Sequence, residues 1–208
     1  LNKINQYQPL IFMRKMDSKL PIYNTRLENK AQSPPSLDLD TMRKKFGEGN
    51  AFMANTEFAL LSQFLGKVAI YDPDVIIGHN LYNQHIDIIT NRINKLKVSG
   101  WSKIGRFKRE VFPKFLQSSN MSTEYIRNCV SGRLRCDTFV STREILLRET
   151  NYNLRYLCEK YLNVNIPEID AGNLLGTFTS LDEIKQLLEI TLNEAFYSMV
   201  LMDKYMIL

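Results

Sequence analysis

The densest chemistry in the chain is cationic. Between Arg92 and Lys114 stand eight bases, Arg92, Lys95, Lys97, Lys103, Arg106, Lys108, Arg109 and Lys114, against the single acid Glu110. That stretch carries +7 in a chain of net charge +5, so the remaining residues sum to −2. Positive charge this local is what a polyanion would feel. Trp101 and Phe107 are interleaved with Lys103, Arg106, Lys108 and Arg109. Cations pair with phosphates and aromatic rings stack on bases or sugars, so Trp101, Lys103, Arg106, Lys108 and Arg109 form a candidate nucleic-acid-binding set. Two other readings stay open: a solvated charged loop with Trp101 anchored in the core, and a docking face for an acidic neighbouring domain.

The remaining reactive side chains are few. Cys129, Cys136 and Cys158 are odd in number, form no CxxC pair and stand far from the two histidines, His79 and His85. A disulfide framework and a zinc site are both disfavoured, and three reduced, buried thiols are expected. One histidine is expected to bond a backbone carbonyl in the interior. Asp137 falls near a strand end, where a lone carboxylate more readily caps the following helix than binds a metal. Met199, Met202 and Met206 read as core packing.

The elements that must hold these residues alternate between strand and helix. Leu10 to Met13 is a short buried strand, followed by a polar stretch with Pro34-Pro35 at its middle, which cannot form an inner strand. Gly47 to Asn50 is a turn. Asn55 or Thr56 caps a helix whose apolar face is Phe58, Leu61, Leu65 and Val68, and Pro73 stops it. Asp74 to Ile77, apolar at Val75, Ile76 and Ile77, reads as a short buried strand ending at Gly78. Ile86, Ile89 and Ile93 share one face of a helix from 84 to 96. Ser99 to Arg135 has no clean period and reads as a loop or hairpin insertion. Leu134 to Phe139 suits a strand, and Ser141 to Arg148 a helix with Ile145 and Leu146 inward. Asn153 caps a helix through Tyr161, and Ser180 to Glu183 is a capping box opening a long helix to about Met206. The pattern is α/β. With 208 residues, 44% hydrophobic and 24% charged, the chain is folded rather than disordered, and no apolar run approaches the roughly 18 residues of a membrane span. From its start at Leu1, without a basic-then-apolar signal-like segment, a piece of a longer protein is expected.

Three strings are distinctive in order and spacing: Asp72-Pro73-Asp74-Val75-Ile76-Ile77-Gly78-His79-Asn80, Trp101-Ser102-Lys103-Ile104-Gly105-Arg106, and Gly132-Arg133-Leu134-Arg135-Cys136-Asp137. Together they resemble the exonuclease-like domain of the family B DNA polymerases, and the second string resembles the alpha type of that family. The resemblance is clear from about 56 to 160 and loose outside. It implies an RNase H-like (3′–5′ exonuclease-like) fold, with a mixed central sheet flanked by helices. It also implies a single domain over 1–208, part of a larger polymerase, with loop or hairpin insertions at 19–50 and 99–133.

Active members of the family hydrolyse phosphodiesters with two divalent ions about 3.5–4 Å apart, seated on carboxylates because hard ions take oxygen ligands. The resemblance places the first motif, Asp-x-Glu, on Lys15 and Asp17, so a cation stands on the metal's seat. The second, Asn-x-x-x-Phe-Asp, falls on Asn80, Gln84 and His85. Asp87, two residues on, is rotated by about 200° on a helix. The third, Tyr-x-x-x-Asp, falls on Ile190 and Glu194. Lys15, Asp17, His85, Ile190 and Glu194 are therefore degenerate exonuclease positions, with no catalytic or metal-binding residue expected. The resemblance implies an inactive scaffold, with no cofactor in this fragment and magnesium serving the parent polymerase. It further implies a DNA or RNA–DNA primer-template, the remaining polymerase domains, primase and accessory subunits as partners, no membrane, and a nuclear location. No Asp-Thr-Asp string of a polymerising site occurs, so the chain alone is not expected to polymerise. Two alternatives remain: an active exonuclease using Asp17, Asp87 and Glu194, and an autonomous single-strand binder.

Overall fold

The computed structural model describes residues 8–14, 40, 43–44, 49–112, 128–167 and 181–208. Lys15, Asp17, Ser180 of the capping box and most of 19–50 lie outside the described residues. The chain divides into two compact units, with boundaries at Leu60/Leu61, Ile166/Pro167 and Leu192/Asn193.

In the first unit, β1 (Ile11–Arg14) pairs in parallel with β2 (Ala51–Ala54), Ile11 opposite Ala51. Strand side chains alternate between faces. Ile11, Met13, Ala51 and Met53 therefore share one face, which packs on Ile184, Leu188 and Leu192 at four-residue spacing along the last helix, α5 (Leu181–Tyr205). Phe12 and Phe52 carry the opposite face, their rings stacked at 5.1 Å. β2 follows a turn at Gly49-Asn50 and was not expected: Ala-Phe-Met-Ala is short, and Ala is depleted in strands.

In the larger unit, α1 (Glu57–Tyr71) buries Leu61 and Leu65. The Thr56 hydroxyl accepts from the Ala59 N–H at 3.2 Å, so Thr56 rather than Asn55 caps it. Asp72 turns the chain with φ 41°, and β3 (Val75–Gly78) begins two residues after the breaking Pro73. β3 runs parallel to β4 (Leu134–Asp137), Gly78 opposite Asp137. A parallel pair requires a long crossover. Here it contains a π-helical turn (Leu81–Ile86), α2 (Asp87–Leu96) and a 3-10 turn (Trp101–Ile104). The expected helix from 84 therefore begins at Leu81, and its inner row is Ile86, Thr90 and Ile93. Thr90 fits because its hydroxyl donates to the Ile86 carbonyl at 2.8 Å.

α3 (Thr138–Ile145) corrects the sequence expectation. Its buried positions are Thr138 and Thr142, with the Thr142 hydroxyl donating to the Thr138 carbonyl at 2.6 Å, while Ile145 is exposed. The helix ends before an apolar stripe can form. α4 (Leu154–Leu157) is capped by Asn153, whose side chain accepts from the Arg155 N–H, and runs into a second π-helical turn (Cys158–Leu162). The described strands make two parallel pairs rather than one mixed sheet, within an α/β arrangement. Among the described residues no helix is long and apolar enough to cross a membrane.

Candidate functional site

Parallel strands present their carboxyl ends to ligands in α/β folds. Here that end consists of Gly78-His79-Asn80 and the neighbouring Asp137. Asp137 is buried, and three backbone N–H groups converge on it. Asn80 donates to Oδ1 at 2.9 Å, Phe139 to Oδ1 at 3.1 Å, and Tyr82 to Oδ2 at 3.3 Å. One carboxylate thus caps both helices that leave the paired strands, satisfying N–H groups that have no partner within their own helices. The expected capping role of Asp137 is what the geometry shows.

His79 is also engaged on both sides. Nε2 lies 2.9 Å from the Tyr152 carbonyl, so this nitrogen carries the proton, and Nδ1 lies 3.0 Å from the Thr138 hydroxyl. Its edge meets the Phe139 ring at 5.5 Å. Burial pulls the ring's pKa below the ordinary histidine value, against the Tyr152 carbonyl and the charge of Asp137. His85 stands beside Gly78 at the end of β3, its ring 3.5 Å from where a Cβ on that glycine would lie.

Among the described residues, the chemistry of that end does not supply the free carboxylates that a pair of hard cations would take. His85 and Gln84 are exposed on the π-helical turn. Glu194 accepts from Arg155 Nη2 at 3.1 Å, and a guanidinium beside a carboxylate competes with a metal for its oxygens. Asp87 accepts from the Asn91 amide at 3.0 Å within its own helix. Ile190 is buried and offers no ligand. Among the described residues no three His, Cys, Asp or Glu side chains gather as a metal seat would require.

The opposite end of the strand pair is built differently. The Arg133 side chain is 2% exposed. Its Nη1 donates to Asp72 Oδ1 at 2.7 Å and to the Pro73 carbonyl at 2.5 Å, and its Nε donates to the Ile104 carbonyl at 3.1 Å. Arg106 Nε donates to the same Asp72 Oδ1 at 3.0 Å, and its Nη2 to Asp74 Oδ1 at 2.6 Å. The three strings that stood apart in sequence therefore meet in one knot of two guanidiniums and two carboxylates. Arg106 first, and Arg133 second, hold the Asp72 carboxyl below its ordinary pKa. Gly105 and Gly132 allow the approach. A Cβ on Gly105 would lie 2.7 Å from the Ser131 carbonyl oxygen, and Gly132 has φ 93°.

This geometry revises the candidate nucleic-acid set. Trp101 is buried and meets Phe112 at 4.7 Å, so its ring is a core anchor and not an open stacking surface. Arg106 is committed to Asp72 and Asp74. Lys103, Lys108 and Arg109 remain exposed, Arg109 donating one N–H to the Asn128 carbonyl at 3.1 Å. The sequence pointed to the cations but carried no sign of which were already paired. All three cysteines are buried and free, and burial pushes Cys129 up to about 11 and Cys158 up to about 12, so neither is a thiolate near neutral pH.

Comparison with known proteins gives a consistent result. Residues 22–175 match the family described as DNA polymerase family B, exonuclease domain. The chain is 34% identical over 158 residues to the DNA polymerase alpha catalytic subunit of Dictyostelium discoideum, covering 76% of this chain and 10% of that protein. It is 30% identical over 207 residues to the subunit of the same name from Oxytricha trifallax, covering 97% and 13%. With the Arabidopsis thaliana subunit it shares 36% identity over 153 residues, covering 71% and 10%. The chain thus spans about a tenth of the length of the curated relatives it matches.

Proposed function

This chain belongs to the family B DNA polymerases, as an exonuclease domain, and from that premise we propose that it is a scaffold within an alpha-type catalytic subunit that does not itself hydrolyse DNA. The observation that carries the reading is the employment of the acids and bases at the carboxyl end of β3 and β4. Asp137 holds three backbone N–H groups, Glu194 holds Arg155, and a histidine stands where the second motif needs an aspartate. A two-metal hydrolase needs carboxylates free to bridge ions. The Asp72–Arg106–Arg133 knot gives the domain a rigid framework in place of a reactive one.

The same proposal includes the completed domain. In it, the fold is RNase H-like, and the chain is set among the other domains of a polymerase. Its parent extends RNA primers with deoxynucleotides on a DNA template, uses magnesium, works with primase and accessory subunits, and acts in the nucleus. The relatives' common name, DNA polymerase alpha catalytic subunit, supports this reading.

The test is trimming of end-labelled single-stranded DNA by the purified chain with magnesium, then manganese, beside an Asp17→Ala, Glu194→Ala double variant. The expected result is no product above the variant's background. Metal-dependent trimming that disappears in the variant would replace the scaffold with an exonuclease built on Asp17, Asp87 and Glu194.

A further inference from the structure

The amino end of the β3–β4 pair, away from the exonuclease positions, borders a cleft of about 1070 Å3. Its apolar wall includes Ile93, Val98, Trp101 and Phe112. Lys97, Lys103, Lys108 and Arg109 line it as well, with Glu110 as a lone opposing acid beyond the already paired Asp72. The three lysines are exposed, and no ion pair among the described residues engages them. Arg106 and Arg133, also in the wall, are already neutralised by Asp72 and Asp74. The charge left over is therefore cationic and borders an apolar surface. Phe107, between Arg106 and Lys108 in the chain, is 59% exposed.

We propose that this cleft binds single-stranded nucleic acid, its phosphates on Lys97, Lys103, Lys108 and Arg109 and its bases or sugars against the half-buried Phe112 and the exposed Phe107 of the same basic run, over a buried floor of Ile93, Val98 and Trp101. Cations beside apolar and aromatic surface are the combination that strand binding without base readout uses. A free phosphate compound would need the cations but not an exposed ring such as Phe107 among them. The site goes beyond the scaffold reading and is independent of it, because it shares no residue with the degenerate exonuclease positions. It also replaces the sequence-derived set: Trp101 and Arg106 become its frame, and Lys97 joins its contacts.

Trp101 is the only tryptophan and lies in the cleft wall, so its emission reports occupancy directly. The experiment titrates the chain with a short oligodeoxythymidylate at several salt concentrations, following Trp101 emission and oligonucleotide anisotropy. The K103Q/K108Q double variant is compared with R148Q, which removes an exposed cation outside the cleft. The proposal expects an emission change on binding and at least about tenfold weaker affinity for K103Q/K108Q. It also expects a log–log salt slope shallower by about 1.4, since each neutralised phosphate of a single strand contributes about 0.7. R148Q should bind like the unaltered chain. Unchanged affinity in K103Q/K108Q, or an equal loss in R148Q, would overturn the proposal. Inorganic tripolyphosphate or polyglutamate binding as tightly as the oligonucleotide would also overturn it.

Discussion

Replacing Arg133 by methionine keeps an unbranched apolar stem and removes the guanidinium that ties the start of β3 to the turn after Trp101. The backbone carbonyls of Pro73 and Ile104 each lose a close donor, and that of Gly105 loses a longer contact at 3.4 Å. A buried polar group left unsatisfied costs about 1–3 kcal/mol, so the pair gives a loss of about 3 kcal/mol. The larger penalty of a stranded buried charge does not apply, because Asp72 is 56% exposed and retains Arg106. In a domain of this size one kcal/mol corresponds to roughly 2–4 °C in Tm, so the expected drop is about 6–12 °C. Thermal unfolding followed by circular dichroism measures it, with R106Q as the comparison. The Arg106 pairs lie open to water, where screening leaves exposed ion pairs little weight, so R106Q should move Tm far less. If R133M unfolds no earlier than R106Q, the knot is not what holds these three segments together.

Asp137→Ala should destabilise the fold by about 2–4 kcal/mol in urea unfolding, since it strips a cap and leaves buried N–H groups without an acceptor. A loss below that of an ordinary surface substitution would contradict the double-cap role. His79 is held neutral, so an unfolded chain takes up its proton at a higher pH than the folded one. Stability should therefore fall as pH drops below about 6.5, and H79Q should flatten that limb of the stability–pH curve. The Glu149 carboxylate accepts from Lys160, Tyr156 and Tyr161, and their hydrogen bonds, Lys160 first, pull its pKa down to about 2. Its contribution is present above pH 4.5 and is lost as pH falls from there towards 2, so E149Q should lack that part of the acid transition. The hydrogen bond to Glu149 pushes Tyr161 up to about 12, and burial raises Tyr205 as well, so ultraviolet titration should show a late tyrosine phase that shrinks in E149Q as Tyr161 returns towards the ordinary range.

Local signals made the site's framework legible, and pairings at a distance were hidden. β3 was readable at both ends because Pro73 and Gly78 punctuate an apolar run, and Asp137 because a carboxylate between strand and helix is a cap wherever it occurs. The resemblance led to His85, which the fold sets beside Gly78 at the end of β3, and to Glu194, which it pairs with Arg155. Thr90 and Thr142 were hidden because a threonine that bonds its own helix backbone can occupy a buried row without an apolar signature. The Arg133 knot was hidden for another reason. Its partners are 61 and 29 residues away in the chain, and nothing local to Arg133 distinguishes a buried clamp from a solvated surface cation. Trp101 was legible only as one of two alternatives, and burial against Phe112 decides for the anchor.

The central claim is that the described carboxylates at the carboxyl end of β3 and β4 are engaged by the protein itself. Manganese titration of the chain, followed by electron paramagnetic resonance, tests it most directly. The expected result is a spectrum indistinguishable from free manganese, unchanged by Glu194→Gln. Stoichiometric uptake of two interacting ions, lost in Glu194→Gln, would contradict it.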